Sequence, residues 1–201
     1  MFNQELAKVA MEFRERKIED PLLIKSINEF PIDAFGKDIF NIKLKENFDF
    51  VDGYYTERLA RIAYVASFYL EKNQKLEKVL EIGTSSGAQT AFLSKISHRL
   101  YTISANYKEL IAAEQVFKRY NLHNIEGDVK KFGEGWKNLS PFDLIISNIP
   151  FNGISEELLS QLSDNGHFIF PFIKENEFFY VIIDKNKEIK KVFDIEYIFS
   201  K

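Results

Sequence analysis

One short stretch of the sequence combines a carboxylate with two glycines in a spacing typical of a ligand-binding loop. Residues 79–82 are mostly apolar and partly β-branched, which predicts an inner strand of a parallel sheet. Gly83 and Gly87 follow, and residues 88–96 have the apolar spacing of a helix. Such a unit presents backbone N–H groups to a carboxylate or phosphate, which indicates a nucleoside-cofactor loop, with an ordinary βα turn as the alternative. Glu81 lies inside this buried strand, so its carboxylate needs a partner.

The other reactive residue types exclude several kinds of chemistry. The chain has no cysteine, which excludes thiol catalysis, disulfides and zinc sites built from cysteine. Its three histidines lack the i,i+4 spacing of paired ligands, so we expect no metal centre. A net charge of −3 argues against a broad nucleic-acid surface. Because no long apolar run is present, we expect a cytoplasmic protein that does not bind or span a membrane.

Strands and helices alternate between residue 79 and about residue 170, which predicts a parallel sheet with helices on both faces. We therefore predict an α/β fold with a doubly wound, mostly parallel, Rossmann-like sheet that ends in an antiparallel C-terminal hairpin. The later strands are predicted at residues 100–103, 124–126, 142–147 and 167–172, the hairpin at residues 178–183 and 192–199, and the later helices at residues 108–120 and 155–162. Asp164 to Gly166 is predicted as a turn.

The N-terminal part of the chain has helical rather than strand periodicity. Asp20 is a good N-cap and Pro21 a good first helical residue, which predicts a helix over residues 21–28. Further helices are predicted over residues 2–17 and 56–71, with an irregular segment at residues 36–53. We therefore expect an N-terminal helical extension, residues 1–55, and a cofactor-binding domain, residues 56–201, packed as one compact unit.

The predicted topology brings several polar residues to one edge of the sheet. Ligands of such sheets bind at the carboxyl ends of the strands, near the point where the strand order reverses. The candidate positions at these ends are Glu81 and Gly83, residues 104–106, Asp128, and residues 147–151. We expect these positions to form one binding site.

Three motifs in this part of the chain resemble one enzyme family. Residues 79–103, VLEIGTSSGAQTAFLSKISHRLYTI, are close to the motif VLEIG-T-x-S-G-x-Q of the protein-L-isoaspartate O-methyltransferases, which are S-adenosylmethionine-dependent enzymes. Residues 127–136, GDVKKFGEGW, lie where that family has G-D-G-x-x-G-W, and residues 142–172 follow its F-D-x-I-I and L-L-x-Q-L patterns. The resemblance implies methyl transfer from S-adenosylmethionine to the isoaspartyl carboxylate of damaged proteins.

The resemblance also implies roles for individual residues. The methionine end of the cofactor would be held by Gly83, Thr84, Ser86 and Gly87. Glu81 would either orient this loop or reach the amino group of the cofactor. Asp128 would accept a hydrogen bond from the adenine amino group, and Gly127 would give access to the backbone. The remaining candidates are Ser104, Asn106 and Ser147 for the cofactor and Thr56 for the substrate.

The sequence departs from the family pattern at positions that matter for activity. Ser104 replaces the acidic residue that binds the ribose in related methyltransferases, and Ser85 replaces the middle glycine of the loop. The substrate segment, residues 51–59, keeps Thr56 but has lost the following serine and proline. One alternative is therefore a non-catalytic relative that keeps the scaffold as a binding module. Another is an N-methyltransferase that uses residues 148–151, Asn-Ile-Pro-Phe, as a variant N-P-P-[YF] box.

Overall fold

The computed structural model describes residues 11, 14, 17–29, 74–174 and 177–194. Most of the helix predicted over residues 2–17 lies outside the described residues. The same is true of the irregular segment 36–53, the helix 56–71 and the proposed domain boundary at residues 55 and 56. The described part contains the whole alternating region on which the predicted site depends.

A seven-stranded sheet forms the centre of the described structure, in the order β3-β2-β1-β4-β5-β6-β7. Strands β1 to β5 pair in parallel, whereas β6 is antiparallel to both β5 and β7. The predicted mostly parallel sheet with an antiparallel C-terminal hairpin is therefore confirmed. The strands are β1 (Leu76–Ile82), β2 (Ser97–Ser104), β3 (Ile125–Val129), β4 (Phe142–Ser147), β5 (Leu162–Lys174), β6 (Glu177–Asp184) and β7 (Ile189–Asp194).

Four α-helices surround this sheet in the described residues: α1 (Pro21–Asn28), α2 (Ala88–Ile96), α3 (Tyr107–Arg119) and α4 (Glu156–Leu159). Helix α1 begins as predicted, because Asp20 Oδ1 accepts hydrogen bonds from the N–H groups of Leu22 and Leu23 at 2.9 and 3.0 Å. Helix α3 is capped by Asn106, whose Oδ1 accepts from Lys108 N at 2.9 Å. None of the described helices is long and apolar enough to cross a membrane.

The predictions around residues 155–166 were wrong. Helix α4 ends at Leu159 rather than at residue 162, and β5 begins at Leu162 rather than at residue 167. The predicted turn at residues 164–166 is part of this strand, at a shift of register between β4 and β5. Glycine at position 166 allows the two strands to approach closely here. Any other residue would place its Cβ 2.6 Å from the carbonyl oxygen of Phe142. Close backbone packing, not turn chemistry, explains the glycine.

The core beside the site is rich in phenylalanine. Phe168 and Phe170 are two residues apart in β5, so their side chains lie on the same face. Their rings stack with centroids 4.4 Å apart. Phe151, in the loop after β4, contacts both rings edge to face at 5.6 and 5.8 Å. This cluster fixes the loop that leaves the carboxyl end of β4.

Candidate functional site

The carboxyl ends of the first four strands lie side by side. Ile82 of β1 pairs with Ile103 of β2 and with Ser147 of β4, and Ile103 pairs with Asp128 of β3. The strand order reverses between β1 and β4, which is where ligands of such sheets bind. The structure thus brings together all the predicted strand-end residues, whereas Thr56 and the segment 51–59 lie outside the described residues.

The glycine loop needs glycine for two different reasons. Gly83 and Gly87 have φ values of 98° and 84°, a conformation that side chains rarely adopt. A Cβ on Gly87 would also lie 2.8 Å from the Phe117 ring and 2.9 Å from Ala113, both on α3. Ser85, which replaces the middle glycine, has a φ of 50° and so keeps the left-handed conformation.

Several N–H groups of this loop already donate to other protein groups. Gly83 N and Thr84 N donate to the carbonyl oxygen of Ile103 at 2.8 and 3.2 Å. Gly87 N donates to Thr84 O at 2.8 Å, and Ala88 N to Ser86 Oγ at 3.3 Å. These bonds determine the shape of the loop rather than leaving the four donors open to a ligand.

Glu81 is fully buried below this loop, at 0% exposure. Its Oε1 accepts from Gln89 Nε2 at 2.8 Å, and its Oε2 accepts from Thr90 Oγ1 at 2.5 Å and Thr102 Oγ1 at 2.7 Å. Thr84 Oγ1 lies 2.8 Å from Thr102 Oγ1 and joins the loop to this network. Of the two roles that the resemblance implies for Glu81, these contacts favour orientation of the loop.

Ser104 and Ser147, at the ends of β2 and β4, form the same small turn. Each hydroxyl accepts from the N–H group two residues on, Asn106 at 3.0 Å and Ile149 at 2.9 Å. Each hydroxyl also donates to the carbonyl oxygen of that residue, at 3.1 and 2.7 Å. Both serines are buried, at 1% and 0% exposure. A ligand that accepts from either hydroxyl must replace its bond to the carbonyl oxygen, whereas a ligand that donates can use the remaining lone pair.

Asn148 belongs to the candidate strand-end segment 147–151, and the sequence indicated a specific role for it only in the N-methyltransferase alternative. Its N–H donates to Ile82 O at 3.0 Å, and its Nδ2 donates to Gly83 O at 2.9 Å. The side-chain Oδ1 is buried, and no described group donates to it. Ile149 follows, and its side chain lies 3.2 Å from where a Cβ of Gly83 would be. Both residues lie in the predicted segment 147–151, directly after β4 and at the reversal of strand order.

Asp128 is a charged and partly exposed group of the site. Its Oδ2 lies 2.8 Å from Lys130 Nζ, and its Oδ1 accepts from Val129 N at 2.8 Å. The hydrogen bond from Lys130 holds the pKa of Asp128 below its usual value, so this carboxyl is ionised at neutral pH. Gly127 precedes it, and a Cβ there would lie 2.6 Å from Leu110 Cδ1 of α3. Close packing of α3 on β3 therefore explains this glycine.

The described residues contain no group of three His, Asp or Glu side chains placed to hold a metal ion.

Comparison with known proteins matches the whole described region to one family. The family model of Protein-L-isoaspartate(D-aspartate) O-methyltransferase (PCMT) matches residues 10–199. The chain is 34% identical over 168 residues to the protein-L-isoaspartate O-methyltransferase of Shewanella woodyi, covering 81% of this chain and 77% of the relative. The enzyme of the same name from Caulobacter vibrioides is 31% identical over 169 residues, or 83% of this chain and 75% of the relative.

Solved structures agree on the fold. One structure of a protein-L-isoaspartate O-methyltransferase has a TM-score of 0.72 and 16% identity, covering 92% of this chain and 61% of that chain. A Plasmodium falciparum protein of this type, solved in complex with S-adenosyl-L-homocysteine, also has a TM-score of 0.72 and 16% identity, covering 93% and 92%.

The sheet order, the glycine loop and these structural matches define a Rossmann-like methyltransferase fold. Within that class, the chain belongs to the protein-L-isoaspartate(D-aspartate) O-methyltransferase family.

Proposed function

We propose that this protein transfers a methyl group from S-adenosylmethionine to the carboxylate of isoaspartyl residues in damaged proteins. The observation that carries the proposal is the family match over residues 10–199. It is supported by the chain's own geometry, because the glycine loop and the ionised Asp128 lie on the same sheet edge.

The residues present fit such a cofactor at its two ends. Asp128 is half-exposed and ionised, which suits it to accept from an exocyclic amino group. The buried Asn148 Oδ1 lacks a described donor beside Gly83, which suits the ammonium end of an amino acid. Between them, Ser104 offers no charge to the ribose hydroxyls, and charge-assisted hydrogen bonds are roughly twice as strong as neutral ones.

Each residue then has a defined task. When bound, the sulfonium cofactor supplies an electrophilic methyl group and a good leaving group. A substrate carboxylate is already nucleophilic, so the protein mainly binds, orients and excludes water. In this proposal Glu81 orients the glycine loop, and Gly83, Thr84, Ser86 and Gly87 surround the methionine end. Thr56 would contact the substrate carboxylate, and Ser104, Asn106 and Ser147 would line the ribose side.

Incorporation of labelled methyl groups into peptides tests the proposal. The peptide pair should differ only in an isoaspartyl or an ordinary aspartyl linkage, and the label should be base-labile, as expected for an ester. Label in the isoaspartyl peptide alone supports the proposed reaction. Equal labelling of both peptides, or none of either with saturating cofactor, would contradict it.

Two observations favour a second candidate, a relative that binds the cofactor but does not turn over. The Ser104 hydroxyl is used within its own turn, and the Ile149 side chain packs against Gly83. Calorimetric titration with S-adenosylhomocysteine, combined with the methyl-incorporation assay, separates the candidates. Binding without methyl incorporation supports the non-catalytic relative, whereas base-stable label in an amide would indicate N-methyl transfer.

A further inference from the structure

Lys130, which directly follows β3, lies between a carboxylate and an aromatic ring. Its Nζ is 2.8 Å from Asp128 Oδ2 and 5.1 Å from the centre of the Trp136 ring. Its side chain is 28% exposed. The neighbouring Lys131 is 87% exposed and lies 3.5 Å from Glu134. Two adjacent lysines of equal charge therefore differ strongly in exposure and in their contacts.

Trp136 is itself held in place, so it offers Lys130 a fixed surface. Its ring packs edge to face against Tyr101 of β2, with centroids 5.7 Å apart. Its backbone N–H donates to Oε1 of the buried Gln161 at 2.7 Å. A cation above such a ring is attracted to its face. Lys130 is thus restrained by a second contact besides its ion pair with Asp128.

These restraints fix the Asp128 carboxylate. One oxygen accepts from Val129 N and the other from Lys130 Nζ, so rotation about the side chain breaks at least one bond. Each carboxylate oxygen can accept a second hydrogen bond, so acceptor capacity remains for a ligand. The ammonium of Lys130 also lowers the pKa of Asp128 and keeps it ionised.

We propose that Lys130 is a positioning residue for the nucleoside end of the cofactor. Held against Trp136, it fixes the Asp128 carboxylate in the orientation that receives the adenine amino group. This inference rests on the proposed function, in which Asp128 binds that group. Because Ser104 supplies no charge to the ribose, the contact at Asp128 carries a larger share of the binding free energy.

A matched pair of variants of the full chain tests this role, with S-adenosylhomocysteine as the titrated probe. Lys130→Met and Lys131→Met remove the same charge from adjacent positions. We expect about fivefold weaker binding for Lys130→Met, because this variant loses one partly shielded cation contact. For Lys131→Met we expect a change of less than about twofold. Lys130→Arg, which keeps the charge and stacks on Trp, should restore most of the affinity.

A double-mutant cycle distinguishes positioning from a general structural effect. In an Asp128→Asn background, Lys130→Met should weaken binding by less than about twofold, because the group on which it acts has lost its charge. Equal losses in both backgrounds, or wild-type affinity in Lys130→Met, would overturn the inference. Circular dichroism checks that each variant is folded, and Lys130→Gln replaces the methionine variant if it is not.

The same titrations keep the two proposals apart. If the wild-type chain does not bind the probe, the proposed function fails and this inference fails with it. If the wild type binds, Asp128→Asn weakens binding and Lys130→Met does not, only the role of Lys130 is lost.

Discussion

The two halves of the candidate site are built on opposite physical principles. Beside β1 and β4, the polar groups are buried and bonded mainly within the protein, as in Glu81 at 0% and Asn148 at 1% exposure. At the end of β3, the polar groups are charged and partly exposed, as in Asp128 at 47% and Lys130 at 28%. Buried networks are costly to break, whereas exposed ion pairs contribute little to folding. Substitutions in the first half should therefore change stability, and those in the second half should change ligand affinity.

The largest effect is expected for Glu81→Ala, in the buried half. The variant leaves Gln89, Thr90 and Thr102 without their shared acceptor. Because unsatisfied buried donors cost about 1–3 kcal/mol each, we expect the free energy of unfolding in urea to fall by at least about 3 kcal/mol. Glu81→Gln keeps the volume and one acceptor oxygen, so its loss should be smaller. A loss below about 1 kcal/mol for Glu81→Ala would contradict the assigned role.

The second-largest loss in the free energy of unfolding is expected for Gly87→Ala. The new methyl group meets Phe117 and Ala113 of α3, and the residue must keep a φ of 84°. Strain and overpacking together predict a loss of about 2–3 kcal/mol in the free energy of unfolding. Gly133→Ala is the control, because a Cβ there has no neighbour within 4 Å. Similar unfolding curves for both variants would show that the close approach of α3 does not matter.

Asp128→Ala, at the end of β3, should weaken ligand binding but leave the stability of the fold almost unchanged. We expect about tenfold weaker binding of S-adenosylhomocysteine in calorimetry, since a hydrogen bond to a charged acceptor is worth about 1.5–3 kcal/mol. Its free energy of unfolding should change by less than about 1 kcal/mol, because the ion pair with Lys130 is partly exposed. A variant that binds normally but is clearly destabilised would remove the contrast between the two halves.

The smallest expected effect is a change in the pKa of Asp128. Lys130 lowers the pKa of Asp128, so Lys130→Met should raise that pKa towards or above its usual 3.8. In the wild type, the ion pair stabilises the folded state above the unfolded pKa of the carboxyl. This contribution disappears as the pH falls through the lower folded pKa. Carbon NMR of the Asp128 carboxyl group in both proteins measures the shift, and identical midpoints would exclude the coupling.

The sequence predicted those parts of the fold that depend on local chemistry. Asp20 followed by Pro21 defined the start of α1, and the run from residue 79 to residue 96 defined the end of β1, the loop and α2, although β1 begins earlier, at Leu76. The start of β5 could not be predicted, because Gly166 belongs to a turn pattern in the sequence but packs on the backbone of Phe142. That contact exists only in the folded chain.

The site was predictable in position but not in detail. The topology placed Gly83, Ser104, Asp128 and Ser147 at one edge, as the structure shows. The sequence could not show that both serine hydroxyls bond to their own backbone. Nor could it distinguish Lys130 from Lys131, since the ring that restrains Lys130 belongs to an irregular loop.

One helix contacts both ends of the candidate site. Helix α3 packs on Gly87 through Phe117 and on Gly127 through Leu110, at 2.8 and 2.6 Å from where a Cβ of each glycine would lie. Leu110 and Phe117 are seven residues apart, or about 10 Å along the helix axis. Because a helix barely changes length, α3 keeps these two contacts at a fixed separation. Under the proposed function, cofactor analogues with a longer or shorter link between adenosine and amino acid should bind more weakly than S-adenosylhomocysteine in calorimetric titration.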